Sequence, residues 1–132
     1  MAVKQKEKNM KKILLIEDNS DNATLVRKVL VANGYEFLWA KTAKEGLQLA
    51  VETHPDLILL DLGLPDMDGQ TLASYFREDP VLSNVPLAAM TAWPEDTALK
   101  MVDAYHLNAY IGKPFKIQDF LKKIRNLLAQ EI

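Results

Sequence analysis

The sequence predicts an α/β domain in which a five-stranded parallel sheet is covered by helices on both faces. Three observations predict it. Five short apolar runs alternate along the chain with five amphipathic stretches, the rhythm of strand and crossover helix that builds parallel sheets. The runs, above all Leu57-Ile58-Leu59-Leu60, are apolar throughout, as in strands buried on both faces. The length, 132 residues, suits a single domain able to bury a core without disulfides or metal staples.

Residues 1–10 are Lys-rich and polar and read as a flexible leader, leaving 11–132 as the domain. They lack the apolar core of a secretion signal, and no later run approaches the ~18 residues of a membrane span. Ile13–Ile16 is the first strand, stopped by Glu17-Asp18-Asn19-Ser20. Leu25, Val26, Val29 and Leu30 then fall on one helical face, with Gly34 as the C-terminal stop. Tyr35–Ala40 is the second strand. Thr42-Ala43-Lys44-Glu45 is a capping box that opens a second helix, with Leu47, Ala50 and Val51 inward and Pro55 ending it. Leu57–Leu60 is the third strand, Asp61–Asp68 a loop and Gly69–Glu78 the third helix. Val85–Met90 is the fourth strand, and Pro94–His106 a helix with proline in its first turn. Ala109–Ile111 is a short fifth strand, followed by the loop Lys113-Pro114-Phe115. Ile117, Phe120, Leu121, Ile124, Leu127 and Leu128 mark the last helix.

Composition narrows the function. With 48% hydrophobic and 26% charged residues the chain is neither disordered nor fibrous. The absence of Cys excludes thiolate metal sites, iron–sulfur clusters and Cys nucleophiles. A formal charge of −2 lacks the basic excess of a nucleic-acid binder. His54 and His106 read as turn or cap residues, and Met67, Met90 and Met101 as core filler. Trp39 reads as packing beside the second strand, whereas Trp93 falls in a loop near the strand ends.

In parallel sheets of this kind ligands sit beyond the carboxyl ends of the strands, so the residues that end each strand matter most. The first strand ends in Glu17-Asp18, the third in Asp61 and the fourth in Thr91, and Lys113 follows the fifth. Any one of these alone has an ordinary reading as a helix cap or a solvated surface residue. Together they make a chemical set. Carboxylates about 4 Å apart repel by several kcal/mol at an effective dielectric near 20, and a hard divalent cation such as Mg²⁺ relieves that repulsion. An ionised Asp is a competent nucleophile for phosphoryl transfer, with a hydroxyl and an ammonium as donors to the phosphoryl oxygens.

With those residues in view, the sequence resembles a response-regulator receiver domain of two-component signalling, of the stand-alone, single-domain type. The matching stretches are Ile13–Asp18, Leu57–Gly69, Met90-Thr91-Ala92 and Lys113-Pro114-Phe115. The resemblance implies a flavodoxin-like fold of strand order 2-1-3-4-5. It implies Asp61 as phosphoacceptor, with Glu17, Asp18, Asp61 and the Gly63 backbone carbonyl around Mg²⁺. Thr91 and Lys113 would engage the phosphoryl group, Tyr110 matches the switch aromatic, and the Lys113–Pro114 bond is expected to be cis. The implied partners are a histidine kinase or histidine phosphotransfer protein and an unidentified downstream protein, in the cytoplasm, with no direct contact to nucleic acid and no membrane insertion. A phosphorylation-linked homodimer is compatible with it. Such a domain is a signalling receiver rather than an enzyme, and it fills the length of the chain, so output comes by docking or by passing the phosphoryl group on.

Three positions distinguish this chain within the pattern. Glu17 stands where Asp is commoner. Gly63 offers no side chain to place a hydrolytic water, and Trp93 lies two residues past Thr91. The last two point to a long-lived acyl phosphate. Lys122, Lys123 and Arg125 form a basic stretch on the polar side of the last helix, read either as an ordinary solvated face or as a partner contact, because it adjoins the surface receivers often use for partners. Competing readings are weaker. An aspartate-nucleophile phosphatase of haloacid-dehalogenase type wants an acid at position 63, where Gly63 stands. A flavin-phosphate binder is opposed by the acids at Glu17, Asp18 and Asp21. A receiver excised from a larger regulator or hybrid kinase, or one with a dead site, would carry a similar fold.

Overall fold

A computed structural model of the chain describes residues 10–129. The leader expected over 1–10 therefore lies outside the described residues, Met10 apart. Five strands alternate with five helices: β1 (Lys12–Ile16), α1 (Ser20–Ala32), β2 (Glu36–Ala40), α2 (Ala43–Thr53), β3 (Leu57–Asp61), α3 (Gly69–Glu78), β4 (Leu87–Thr91), α4 (Glu95–Ala104), β5 (Ala109–Gly112) and α5 (Ile117–Ala129). The strands are all parallel and lie in the order β2-β1-β3-β4-β5.

The two-residue period of the strands divides the core in two. Ile13, Leu15, Leu57, Leu59, Ala88, Met90 and Ile111 face α1 and α5, meeting Val26, Leu30, Phe120 and Ile124. Leu14, Ile16, Ile58, Leu60, Leu87 and Ala89 face the other way, onto α2, α3 and α4, meeting Ala50, Leu72, Phe76 and Met101. Burial on both faces explains why β3 reads as an unbroken apolar run. No helix among the described residues is long and apolar enough to cross a membrane.

Caps set most helix ends. Asn19, Thr42 and Asp68 each accept a backbone N–H of the first turn that follows, from Asn22, Glu45 and Thr71 respectively. Gly34 closes α1 with φ of +86°, a left-handed conformation that glycine adopts without strain. His54 and His106 also have positive φ, the first as the C-cap of α2.

Several expected boundaries and faces are corrected. β4 runs from Leu87 to Thr91 rather than from Val85 to Met90. Pro86 has no N–H to give, and the Val85 N–H closes a turn onto the Leu82 carbonyl. β2 begins at Glu36 rather than Tyr35. Asp61 is the last residue of β3 rather than the first of a loop. β5 extends to Gly112, and α4 stops at Ala104 because the chain turns left-handed at His106. Leu25 and Val51 are about half exposed rather than inward. The buried stripes are Ala23-Val26-Leu30 and Ala43-Gly46-Ala50, and each misplaced residue sits one step round its helix from the stripe. Ile117, at the first position of α5, is also exposed.

One arginine ties together the turns opposite the site. Arg77 donates from Nε to the His106 carbonyl at 2.9 Å. Its Nη1 reaches the carbonyls of Ser83 at 3.1 Å and Val85 at 2.8 Å, and Nη2 reaches Asn108 Oδ1 at 2.8 Å. That Asn108 oxygen also receives the Leu87 N–H at 2.9 Å, which starts β4. Replacing Arg77 by Leu strands three carbonyls and frees the start of β4, so urea unfolding should show a loss of about 2–3 kcal/mol. Arg77→Lys should not recover it, because an ammonium cannot reproduce the planar fork.

Candidate functional site at the carboxyl ends of the strands

Sheet register brings the strand ends together. Ile16 pairs with Leu60, so the next step along each strand places Glu17 beside Asp61. Asp61 in turn pairs with Met90, and Thr91 with Gly112. The Lys113 N–H donates to the Thr91 carbonyl at 2.8 Å, holding the loop after β5 to the end of β4. The Lys113–Pro114 peptide is cis, as expected.

The side chains converge on one rim. Oxygens of Glu17, Asp18 and Asp61 all lie within 4.8 Å of one another. Lys113 Nζ stands between two of them, 3.3 Å from Glu17 Oε1 and 3.7 Å from Asp61 Oδ1. Three carboxylates against one ammonium leave the cluster net negative. Glu17 is only 2% exposed while Asp18 is open to solvent. Burial and the neighbouring Asp61 carboxylate push the Glu17 carboxyl above its ordinary range. The Asn19 N–H at 3.3 Å and the Lys113 ammonium pull it down but do not cancel the rise. Asn22 Nδ2 is a further donor to Glu17, at 3.4 Å. An all-oxygen set of crowded carboxylates, one of them destabilised by burial, fits a hard divalent cation.

Gly63, Thr91 and Trp93 belong to the same rim. The Gly63 N–H donates to Asp61 Oδ1 at 3.1 Å, orienting that carboxylate. Thr91 is buried, and its Oγ1 accepts the Trp93 N–H at 3.0 Å, which leaves its own O–H free to donate to a ligand. Trp93 itself is 46% exposed. Tyr110 lies half-buried on β5, away from the carboxylates. Lys123 Nζ sits 4.6 Å from its ring centre and donates to its backbone carbonyl at 2.8 Å.

Two residues at this rim escape a reading of the sequence. Asp66, in the loop between β3 and α3, accepts the N–H groups of Ala43 at 3.0 Å and Lys44 at 3.2 Å. These bonds hold its carboxyl below the usual range and fasten the loop after Asp61 to the start of α2. Thr42 already supplied a local cap there, so nothing in the sequence called for a second. Trp39 does more than pack beside β2: its indole N–H donates to the Glu17 carbonyl at 2.8 Å.

Beside known proteins, residues 13–125 match the family model of the response regulator receiver domain. A polar-differentiation response regulator, DivK, of Brucella ovis is 34% identical over 118 residues, covering 89% of this chain and 96% of that protein. A putative response regulator from Chloroflexus aurantiacus superposes with a TM-score of 0.86 at 29% identity, over 92% of this chain and all of that one. The receiver domain of a sensor histidine kinase from Pseudomonas aeruginosa, described with a magnesium ion coordinated in its active-site cleft, gives 0.84 at 26% identity, over 92% and 98% of the two chains. The family match over residues 13–125, the shared sequence and the superposable fold have one explanation: the chain belongs to the response regulator receiver domain family of two-component signalling.

Proposed function

We propose that this chain is the phosphoacceptor of a two-component or phosphorelay system, taking a phosphoryl group onto Asp61. The observation that carries the reading is the position of the Asp61 carboxylate, at the end of a buried strand, with two further carboxylates and one ammonium gathered around it. An Asp61 oxygen forms a bond to phosphorus as the bond from phosphorus to a donor imidazole nitrogen breaks. The imidazole leaves with the electron pair and takes up a proton, and Asp61 becomes an acyl phosphate. The donor is a phosphohistidine of a histidine kinase or phosphotransfer protein in the same cytoplasmic compartment.

Glu17, Asp18 and Asp61, with the Gly63 carbonyl, would hold Mg²⁺. Bound there, the ion supplies positive charge against the carboxylates and the phosphoryl oxygens. Lys113, beside Glu17 and Asp61, would add a second positive charge and pair with a phosphoryl oxygen, and the Thr91 hydroxyl would donate to another. Recruitment of Thr91 releases the space beside β5 into which Tyr110 turns, which changes the surface seen by a downstream protein. The receiver domain runs over 11–132, after a leader at 1–10. Gly63 presents no side chain to a hydrolytic water and Trp93 stands at the rim, so the acyl phosphate is slow to hydrolyse.

Acetyl phosphate tests the reading without knowledge of the natural donor. Incubated with it and Mg²⁺, the protein should gain the mass of a single phosphoryl group, and EDTA should prevent the gain. A protein whose intact mass stays unchanged under saturating donor and Mg²⁺ would contradict the assignment.

A further inference from the structure

The parallel ladder between β1 and β2 ends in an unusual way at the site. The Glu36 N–H donates to the Lys11 carbonyl, and six residues on the Glu17 N–H donates to the Ala40 carbonyl. The alternation of a parallel pair would next give the Glu17 carbonyl to the N–H of Thr42. β2 stops at Ala40, however, and Thr42 has turned to become the N-cap of α2. The carbonyl between the two acids of the site accepts a side-chain donor instead, the Trp39 indole N–H at 2.8 Å. That one bond closes the last rung of the ladder and fixes the peptide joining Glu17 to Asp18.

We infer that Trp39 is a positioning residue for the acidic pair: its N–H sets the peptide from which the Glu17 and Asp18 carboxylates project toward Asp61. Indole nitrogen is a donor only and has no other polar duty here, and Trp39 as a whole is still 36% exposed, with Lys41 Nζ 5.9 Å from the ring centre. Its contribution therefore lies in the bond it makes as well as in the area it buries. Without the donor, the peptide at 17–18 can rotate and the three carboxylates no longer keep their mutual spacing. The inference rests on the phosphoacceptor reading for its consequence, because the pair is placed for a divalent cation.

Two variants separate donor from ring. Trp39→Phe keeps an aromatic side chain and loses the N–H. Trp39→Gln loses the ring but carries an amide N–H at the same number of bonds from Cβ. By calorimetric titration with Mg²⁺ alone, Trp39→Phe should bind about five-fold more weakly, the change expected for one neutral hydrogen bond. Trp39→Gln should bind nearly as wild type although it melts lower. In the metal-free protein the Asn19 amide, which donates to Glu17 Oε2, should exchange faster in Trp39→Phe than in wild type. With acetyl phosphate, Trp39→Phe should need more Mg²⁺ while keeping its saturated rate within about two-fold. Wild-type Mg²⁺ affinity and Asn19 exchange in Trp39→Phe would overturn the inference, as would a Trp39→Gln protein as impaired as Trp39→Phe. Loss of the adduct from wild-type protein would instead strike the phosphoacceptor reading, and the metal-free exchange measurement tells the two failures apart.

Discussion

Asp61→Asn should abolish the phosphoryl adduct and, in Mg²⁺-free solution, raise the stability of the protein. The first effect follows because an amide oxygen cannot form the acyl phosphate, so no residual labelling above background is expected. The second follows from the crowding of the site. Glu17 is held above its ordinary carboxyl range by burial and then by Asp61, so each ionised partner destabilises the other. Neutralising Asp61 removes the repulsion, while Lys113 keeps Glu17 at 3.3 Å. A gain of about 1 kcal/mol, or roughly 4 °C in melting temperature, is expected at neutral pH in EDTA.

The pH dependence has a definite sign. The unfolded chain releases the Glu17 proton near the ordinary carboxyl value of 4.5, and the folded chain holds it to higher pH. Between those points the native state binds more protons, so wild-type stability without metal falls as pH rises through the window. In Asp61→Asn the fall should be shallower but still present, because burial is the larger cause and is untouched. Mg²⁺ should reverse the ranking, stabilising wild type more than the variant. Thermal melts at several pH values, with EDTA and with Mg²⁺, read all of these signs.

Gly46→Leu should cost about 3 kcal/mol, the upper end of the range for overpacking a filled core. Gly46 lies in α2 against the end of β1. A Cβ there would stand 2.4 Å from Ile16 Cδ1 and 2.7 Å from Ile16 Cγ1. Glycine inside a helix normally gives up about 1 kcal/mol relative to Ala, so close approach is the reason it is here. Ile16 immediately precedes Glu17, and any shift that relieves the clash moves the acidic pair as well. Urea unfolding should show the loss, and Ile16→Ala in the same chain should recover part of it. Strict additivity of the two changes would contradict the contact, because neighbours that share one space couple.

The fold was legible in the sequence because it is written in periods. Two-residue and 3.6-residue spacings repeat over whole elements, and Thr42 and Gly34 mark helix ends with local chemistry. The site was legible for a related reason: each acid ends an apolar run, so the topology that stacks the strands also gathers the acids. What stayed hidden was not periodic. Val85 looked like strand because it is β-branched and follows a turn, and only the pairing with β3 shows that Pro86 delays the strand to Leu87. Leu25 is apolar and near the stripe of α1, yet it faces a groove lined by Lys113, Pro114 and Phe115. Trp39 and Asp66 act on backbone groups 22 and 23 residues away. Such side-chain bonds to distant backbone depend on where loops end, and no spacing announces them.

The phosphoacceptor assignment is tested most directly by locating the phosphoryl group. Protein labelled with acetyl phosphate and Mg²⁺ can be reduced with borohydride, which converts an aspartyl phosphate to homoserine, and then mapped by peptide mass. Homoserine at position 61 in wild type, absent from unlabelled protein and from Asp61→Asn, is the expected result. Homoserine at another acidic position, or its persistence in Asp61→Asn, would contradict the assignment.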